Sequence, residues 1–361
     1  MAGLTAARIL ADHGLPARIL DKGRVPGGRI STRTSGRTSG DAWSMDHGAP
    51  FFTARDPEFR REVEGWAKAG VVAPWAGRIG YVRRGGEVEP ATESTRWVGV
   101  PGMRDVPLHL ARTLDVGTGI EVSPIVPAAG RWLVGGDAYD RVLVTAPPAQ
   151  AAALLGAAHP GFAARLEGLE MQPCWALMLR LGRRGAGGIL SWDALPWDGL
   201  FFEDDPVFRW VARDSSKPGR AVGETAGQWV LHAAPAWSAE QLERDPEWVA
   251  AALSREFSNL VRRTGGSAGD AGDTEGWTIE SARAHRWRYA APESEPTPGL
   301  CLWDSETGIG VAGDALGGGR VEGAFLSGAA LARAVLGRAA QAQADPATKG
   351  AVSTGAGSLP R

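Results

Sequence analysis

Two glycine-led segments near opposite ends of this chain carry the residue types that hold an anionic nucleotide. At the start, Met1-Ala2-Gly3-Leu4-Thr5-Ala6-Ala7 runs into an apolar stretch with helical character. It matches the close of a Gly-x-Gly-x-x-Gly-Leu fingerprint, with Gly3 as the third glycine. Backbone N–H groups at such a helix start have no partner, and the helix dipole favours negative charge there, so a pyrophosphate fits. Taken alone, the segment is equally an ordinary amphipathic helix. Ala17-Arg18-Ile19-Leu20-Asp21 follows, a short apolar run ending in an acid. Asp21 stands close to the roughly 20-residue spacing at which a carboxylate reaches a ribose hydroxyl. Gly27-Gly28-Arg29 then offers close backbone approach and a guanidinium fork for phosphate.

Near the other end, Gly308 to Asp314 is a small-residue strand ending in Gly313-Asp314. Gly317-Gly318-Gly319-Arg320-Val321-Glu322-Gly323 leads from it into an alanine-rich helix expected from about Ala324 to Gly337. A strand, a Gly-Asp pair and a second glycine-led helix form an FAD-binding signature. The acid suits a ribityl hydroxyl, and the helix start suits the edge of a flavin that becomes anionic on reduction. The first two fingerprint glycines, and the strand that would carry them, would precede Met1. The chain is therefore expected to be truncated at its N-terminus.

These motifs need a large α/β frame. The 361 residues suffice for two structural domains. The expected fold is a Rossmann-like FAD-binding domain, its parallel sheet lacking the first strand. It interleaves with an α+β substrate domain built on a mostly antiparallel sheet. The expected FAD-binding parts are residues 1–55, 98–155 and 281–338; the substrate parts are 56–97 and 156–280, with a disordered tail over 339–361. Phe59, Val63 and Trp66 predict a helix over Asp56 to Gly70. A hairpin layer is expected over Val71 to Trp97, and a helix up to Leu114. Two strands are expected in Ile120 to Leu133, a buried strand in Arg141 to Pro148, and sheet strands in Cys174 to Leu181 and Gln228 to Ala234. A long helix is expected over Ala239 to Val261 and a loop over Thr264 to Gly276.

The net charge of −2 gives no basic field for nucleic acid or an anionic membrane. No apolar run is long enough to span a bilayer. The two cysteines, Cys174 and Cys301, form no close-spaced pair. They suggest no metal site or disulfide framework and fit a reducing cytoplasm. Neither lies in a flavin-attachment motif, so FAD is expected to be non-covalent.

Longer strings are more specific. Met45-Asp46-His47-Gly48-Ala49-Pro50-Phe51-Phe52-Thr53-Ala54-Arg55-Asp56 resembles the bacterial renalase-like FAD-dependent oxidoreductases of the flavin amine-oxidase superfamily. So do Trp97 to Met103, Ser215 to Arg220, and His285-Arg286-Trp287-Arg288-Tyr289-Ala290. The resemblance covers roughly Met1 to Arg338. It implies hydride transfer from reduced nicotinamide isomers to FAD, then electron transfer to molecular oxygen to give peroxide. It places Gly3, Asp21, Gly28 and Arg29 at the ADP half of FAD, and Val122, opening Val-x-x-Ile, at the adenine. It places Gly313, Asp314, Arg320, Val321 and Glu322 at the ribityl chain and flavin. Asp46, His47, Gly48 and Ala49 would approach the isoalloxazine, and Trp287, Arg288 and Tyr289 would frame the ring or its substrate face.

Alternatives stay open at this stage. Arg288 could meet a phosphate or pair with an acid, and His232 could touch substrate or be a structural core residue. Any of the 15 tryptophans could line a flat slot or simply pack. An aromatic-ring hydroxylase would carry Asp-Gly after the Arg141 strand, where this chain has Thr145-Ala146-Pro147-Pro148. A flavin amine oxidase acting on an amine substrate and an FAD-free remnant or binding module are the other readings.

Overall fold

The computed structural model describes residues 1–35, 43–83, 87–91, 94–183, 195–220, 226–264, 277–293 and 299–337. The expected loop after Thr264 and the tail from 339 lie outside the described residues.

The nucleotide-binding half forms around the helix Ala2–Asp12. Leu4, Ala6, Ala7 and Leu10 give it a buried face, which packs on the helix Val321–Val335. A Cβ on Gly328 would stand 2.3 Å from the Ala2 carbonyl oxygen, so this crossing admits glycine alone. The strand Arg18–Asp21 pairs parallel with Asp115–Thr118. Val142–Val144 pairs parallel with Ile309–Ala312, which pairs antiparallel with Cys301–Asp304. The expected parallel sheet thus exists as two separately hydrogen-bonded pieces.

The second half is a seven-stranded, mostly antiparallel sheet. Its order is Trp277–Pro292, Met171–Arg183, Ala226–Ala233, Phe208–Arg213, Gly199–Phe202, Ile79–Val82 and Val88–Pro90. Side chains alternate between its faces. One face carries Trp175, Leu177, Leu179, Leu181, Trp229 and Leu231 against Val249, Leu253, Phe257 and Leu260 of the helix Pro246–Thr264. Each such aliphatic or aromatic side chain contributes roughly 1.5–3 kcal/mol by leaving water. The opposite face is thereby pinned toward the nucleotide-binding half.

Several expectations change. The long helix over Ala239 to Val261 is two helices, Pro235–Glu240 and Pro246–Thr264. Asp245 accepts from the Glu247 and Trp248 N–H groups and caps the second, with Pro246 at its start. The two strands expected in Ile120 to Leu133 form as Val126–Ala128 and Arg131–Val134, which Asp137–Tyr139 extends into a three-stranded meander. The C-terminal helix begins at Val321, earlier than expected. Residues 281–292 belong to the substrate sheet, not to the nucleotide-binding half, because Trp277–Pro292 pairs along Met171–Arg183. The expected helix after Asp56 forms as Pro57–Lys68, capped by the Asp56 carboxylate. It packs into the nucleotide-binding half instead, through Phe59 on Phe325 and an ion pair of Glu58 with Arg333.

Candidate active site

The site begins with one row of the large sheet. Ala176 pairs with His232 on one neighbouring strand and with His285 on the other. Directly paired residues share a face, so two imidazoles flank a small residue. Two positions along, Cys174 pairs with Trp287 on that same face. The segment Asp46-His47-Gly48 lies over this row. Its His47 carbonyl accepts from Trp287 Nε1 at 2.8 Å. The His47 ring stacks on Trp287 with centroids 5.3 Å apart and meets His285 edge-on at 4.8 Å.

These imidazoles are neutral. Burial, reinforced by His285 and Arg33, pushes His47 down to about 3. Burial also holds His232 and His285 at about 4. His47 Nδ1 and His232 Nε2 are buried without a protein partner. Both residues line a cavity of about 2310 Å³, well above the roughly 300–1,000 Å³ of a small-ligand pocket. Burial raises the Cys174 thiol to about 12, so it is no nucleophile.

Asp46 looks the other way. Its carboxylate is fully buried with Asp214, Lys217 and Arg220. Lys217 Nζ lies 2.9 Å from Asp46 and 2.5 Å from Asp214. Arg220 joins Asp46 directly and Asp214 at 3.4 Å. Thr32 Oγ1 and the Met103 N–H also donate to Asp46, at 2.7 and 3.0 Å. Burial alone would raise the Asp46 carboxyl; Lys217, Arg220 and these hydrogen bonds hold it below its ordinary range. Burial outweighs the same cations at Asp214, whose carboxyl is raised. Asp46 therefore braces the segment from behind and does not reach the cavity, contrary to expectation.

The remaining candidates spread along the cavity wall. Gly3, Asp21, Gly28, Arg29 and Val122 line it, as do Gly313, Asp314, Arg320 and Val321. Gly28, at φ +57°, and Gly313 have no protein atom within 4 Å of where a Cβ would stand, so the cavity can meet bare backbone there. Asp21 accepts from the Gly23 N–H at 2.7 Å, which shapes the turn below it. Arg29 is held in a two-pronged ion pair by Asp314. Glu322 does not line the cavity; it accepts the Arg55 and Asp56 N–H groups, both at 2.6 Å. Gly48, Ala49, Trp287 and Tyr289 line the sheet end. Arg288 also lies there, but Glu243 takes its guanidinium at 2.6 and 2.9 Å. Sequence reasoning missed His285, Arg33 and Arg209. His285 stands in a motif that the sequence shows, but its pairing with Ala176 is not readable from that motif.

Comparison with known proteins now places this architecture. Residues 1–64 match the NAD(P)-binding Rossmann-like domain, and residues 85–336 match the flavin containing amine oxidoreductase family. The chain belongs to that family and is an FAD-dependent oxidoreductase. Its fold is similar to cyclohexylamine oxidase from Brevibacterium oxydans, at 13% identity and TM-score 0.66, over 92% of this chain and 96% of that one. A putative protoporphyrinogen oxidase from Exiguobacterium gives 13% identity and 0.66, over 93% and 95%. Putrescine oxidase bound to putrescine gives 13% and 0.59, over 93% and 97%. Among the described residues no helix is long and apolar enough to cross a membrane.

Proposed function

We propose that this protein is a renalase-like oxidase acting on reduced nicotinamides, with oxygen as electron acceptor and peroxide as product. Bound FAD supplies the hydride acceptor and passes two electrons on to oxygen. In this reading Gly3, Gly28, Gly313 and Arg29 approach the pyrophosphate. Asp21 and Val122 meet the adenosine, and Asp314, Arg320 and Val321 meet the ribityl chain and ring. Trp287, Tyr289 and the neutral imidazoles of His47 and His232 form a flat wall that orients the donor and keeps water off it. The free cysteines fit work in a reducing cytoplasm.

The carrying observation is that wall: an indole and uncharged imidazoles lining the cavity, two of whose buried nitrogens have no protein partner. The family relationship supports a second reading, oxidation of an amine. Anaerobic mixing of the FAD-loaded protein with dihydronicotinamide isomers, and separately with primary amines, distinguishes the two. Bleaching of the flavin by dihydronicotinamides, followed by peroxide on admitting air, is the expected result. Bleaching by amines alone overturns the proposal in favour of amine oxidation, and a protein that never takes up FAD overturns both.

A further inference from the structure

We infer that the sheet end of the cavity is an anion subsite, in which Arg33 and Arg209 receive a phosphate or carboxylate of the substrate. This rests on the reading that the donor sits against His47 and Trp287. Arg33 and Arg209 reach that place from two different elements. Arg33 opens the short strand Arg33–Ser35, paired with Trp43–Met45, which leads into His47. Arg209 lies in Phe208–Arg213, next to the strand that carries His232. Its placement has a specific cause. The pairing shifts between Phe208 and Trp210, so Arg209 is the extra residue of a β-bulge. Phe208 and Val211 both pack into the helix-facing core, whereas Trp210 packs into the other. Such a bulge re-aims a side chain and is a recurrent device beside active sites.

Both guanidinium groups line the cavity and are exposed within it. Among the described residues neither has an ion-pair partner. They act on the histidines from two sides: Arg33 depresses His47 and His285, and Arg209 depresses His232. The other arginines at this end, Arg286 and Arg288, are already taken by Glu243. The carboxylates on the cavity wall are Asp21, Asp115, Glu121, Asp140 and Asp314; Asp314 is held by Arg29, and none of the five pairs with Arg33 or Arg209. A cationic polyamine would meet two unpaired guanidinium groups there. A flat, uncharged ring with an anionic tail meets an apolar wall and two forked donors.

The test uses the FAD-loaded protein and the variants Arg33→Gln and Arg209→Gln. Donors are dihydronicotinamide mononucleotide, which carries a phosphate, and an uncharged N-alkyl dihydronicotinamide. A carboxylate-tailed N-alkyl analogue separates the two anion sources. The expected result is that each substitution raises KM for the anionic donors about tenfold or more. The KM for the uncharged donor stays unchanged, and added salt closes the gap in the wild-type protein. Binding of inorganic pyrophosphate to the loaded protein, followed calorimetrically, should weaken in step. Equal KM shifts for charged and uncharged donors overturn the subsite, as does pyrophosphate binding that ignores both substitutions. If no dihydronicotinamide bleaches the flavin, the proposed reaction fails, and the pyrophosphate titration alone decides the subsite.

Discussion

Asp46 and His47 are neighbours in sequence, are both buried, and behave in opposite ways. Asp46 sits in a closed set of two carboxylates and two cations in which every charge has an opposite partner. His47 carries a buried nitrogen with no protein partner, and so does His232 beside it. Burying an unpaired polar atom costs about 1–3 kcal/mol, and both of these residues line the cavity. The completed polar network holds the segment, and the residues with unpaired nitrogens line the cavity.

The largest expected effect comes from breaking the brace. Lys217→Met leaves Asp46 and Asp214 sharing one cation and should destabilise the protein by about 3–5 kcal/mol in denaturant unfolding. An unfolding midpoint equal to wild type would show that the network is no brace. Next is Gly48→Ala. Its new Cβ would stand 2.0 Å from the Arg29 carbonyl oxygen, so backbone must move, at a cost of about 1–3 kcal/mol. Flavin uptake should weaken with it, measured by visible absorbance after dialysis. Trp287→Phe removes the 2.8 Å bond to the His47 carbonyl and should cost about 1 kcal/mol. It should also slow flavin bleaching, and an unchanged single-turnover rate would remove Trp287 from the donor wall.

The smallest effect on stability, and the sharpest for the comparison, is His47→Phe. It deletes the orphaned nitrogen, so stability should stay within about 1 kcal/mol of wild type while donor binding falls. A large loss of stability would mean that His47 belongs with the brace. The pH dependence follows from the same histidines. Their folded-state values of about 3 and about 4 lie below the ordinary 6.5. As pH falls below 6.5 the unfolded chain takes up protons before the folded one does, so stability declines toward pH 4 and is complete above 6.5. Urea midpoints of wild type and His47→Phe across that range should show a shallower decline in the variant.

Much of the nucleotide-binding half was legible because its signals are local. Gly3 with its helix, the Arg18–Asp21 strand and the Ile309–Ala312 strand before Asp314 each lie within a few residues of one another. The sheet end was harder to read. The motif that contains His47 also contains Asp46, and only the contacts of Asp46 with Asp214, Lys217 and Arg220 separate their surroundings. Arg288 was grouped with Trp287, yet Glu243, on a different segment, takes it out of play. His285 stood in a readable motif, but its place opposite Ala176, like the bulge at Arg209, needs strand register.

Glycine spacing and helix starts alone pointed to a nucleotide site, because backbone conformation and dipole direction are short-range properties. The sequence also determined which helices and strands carry apolar faces. Only the packing of distant strands decided which buried charges cancel, which imidazoles stay neutral and unpaired, and where a bulge places Arg209 on the cavity. Those outcomes depend on burial and on partners brought together from distant strands, and no local pattern of residues encodes either.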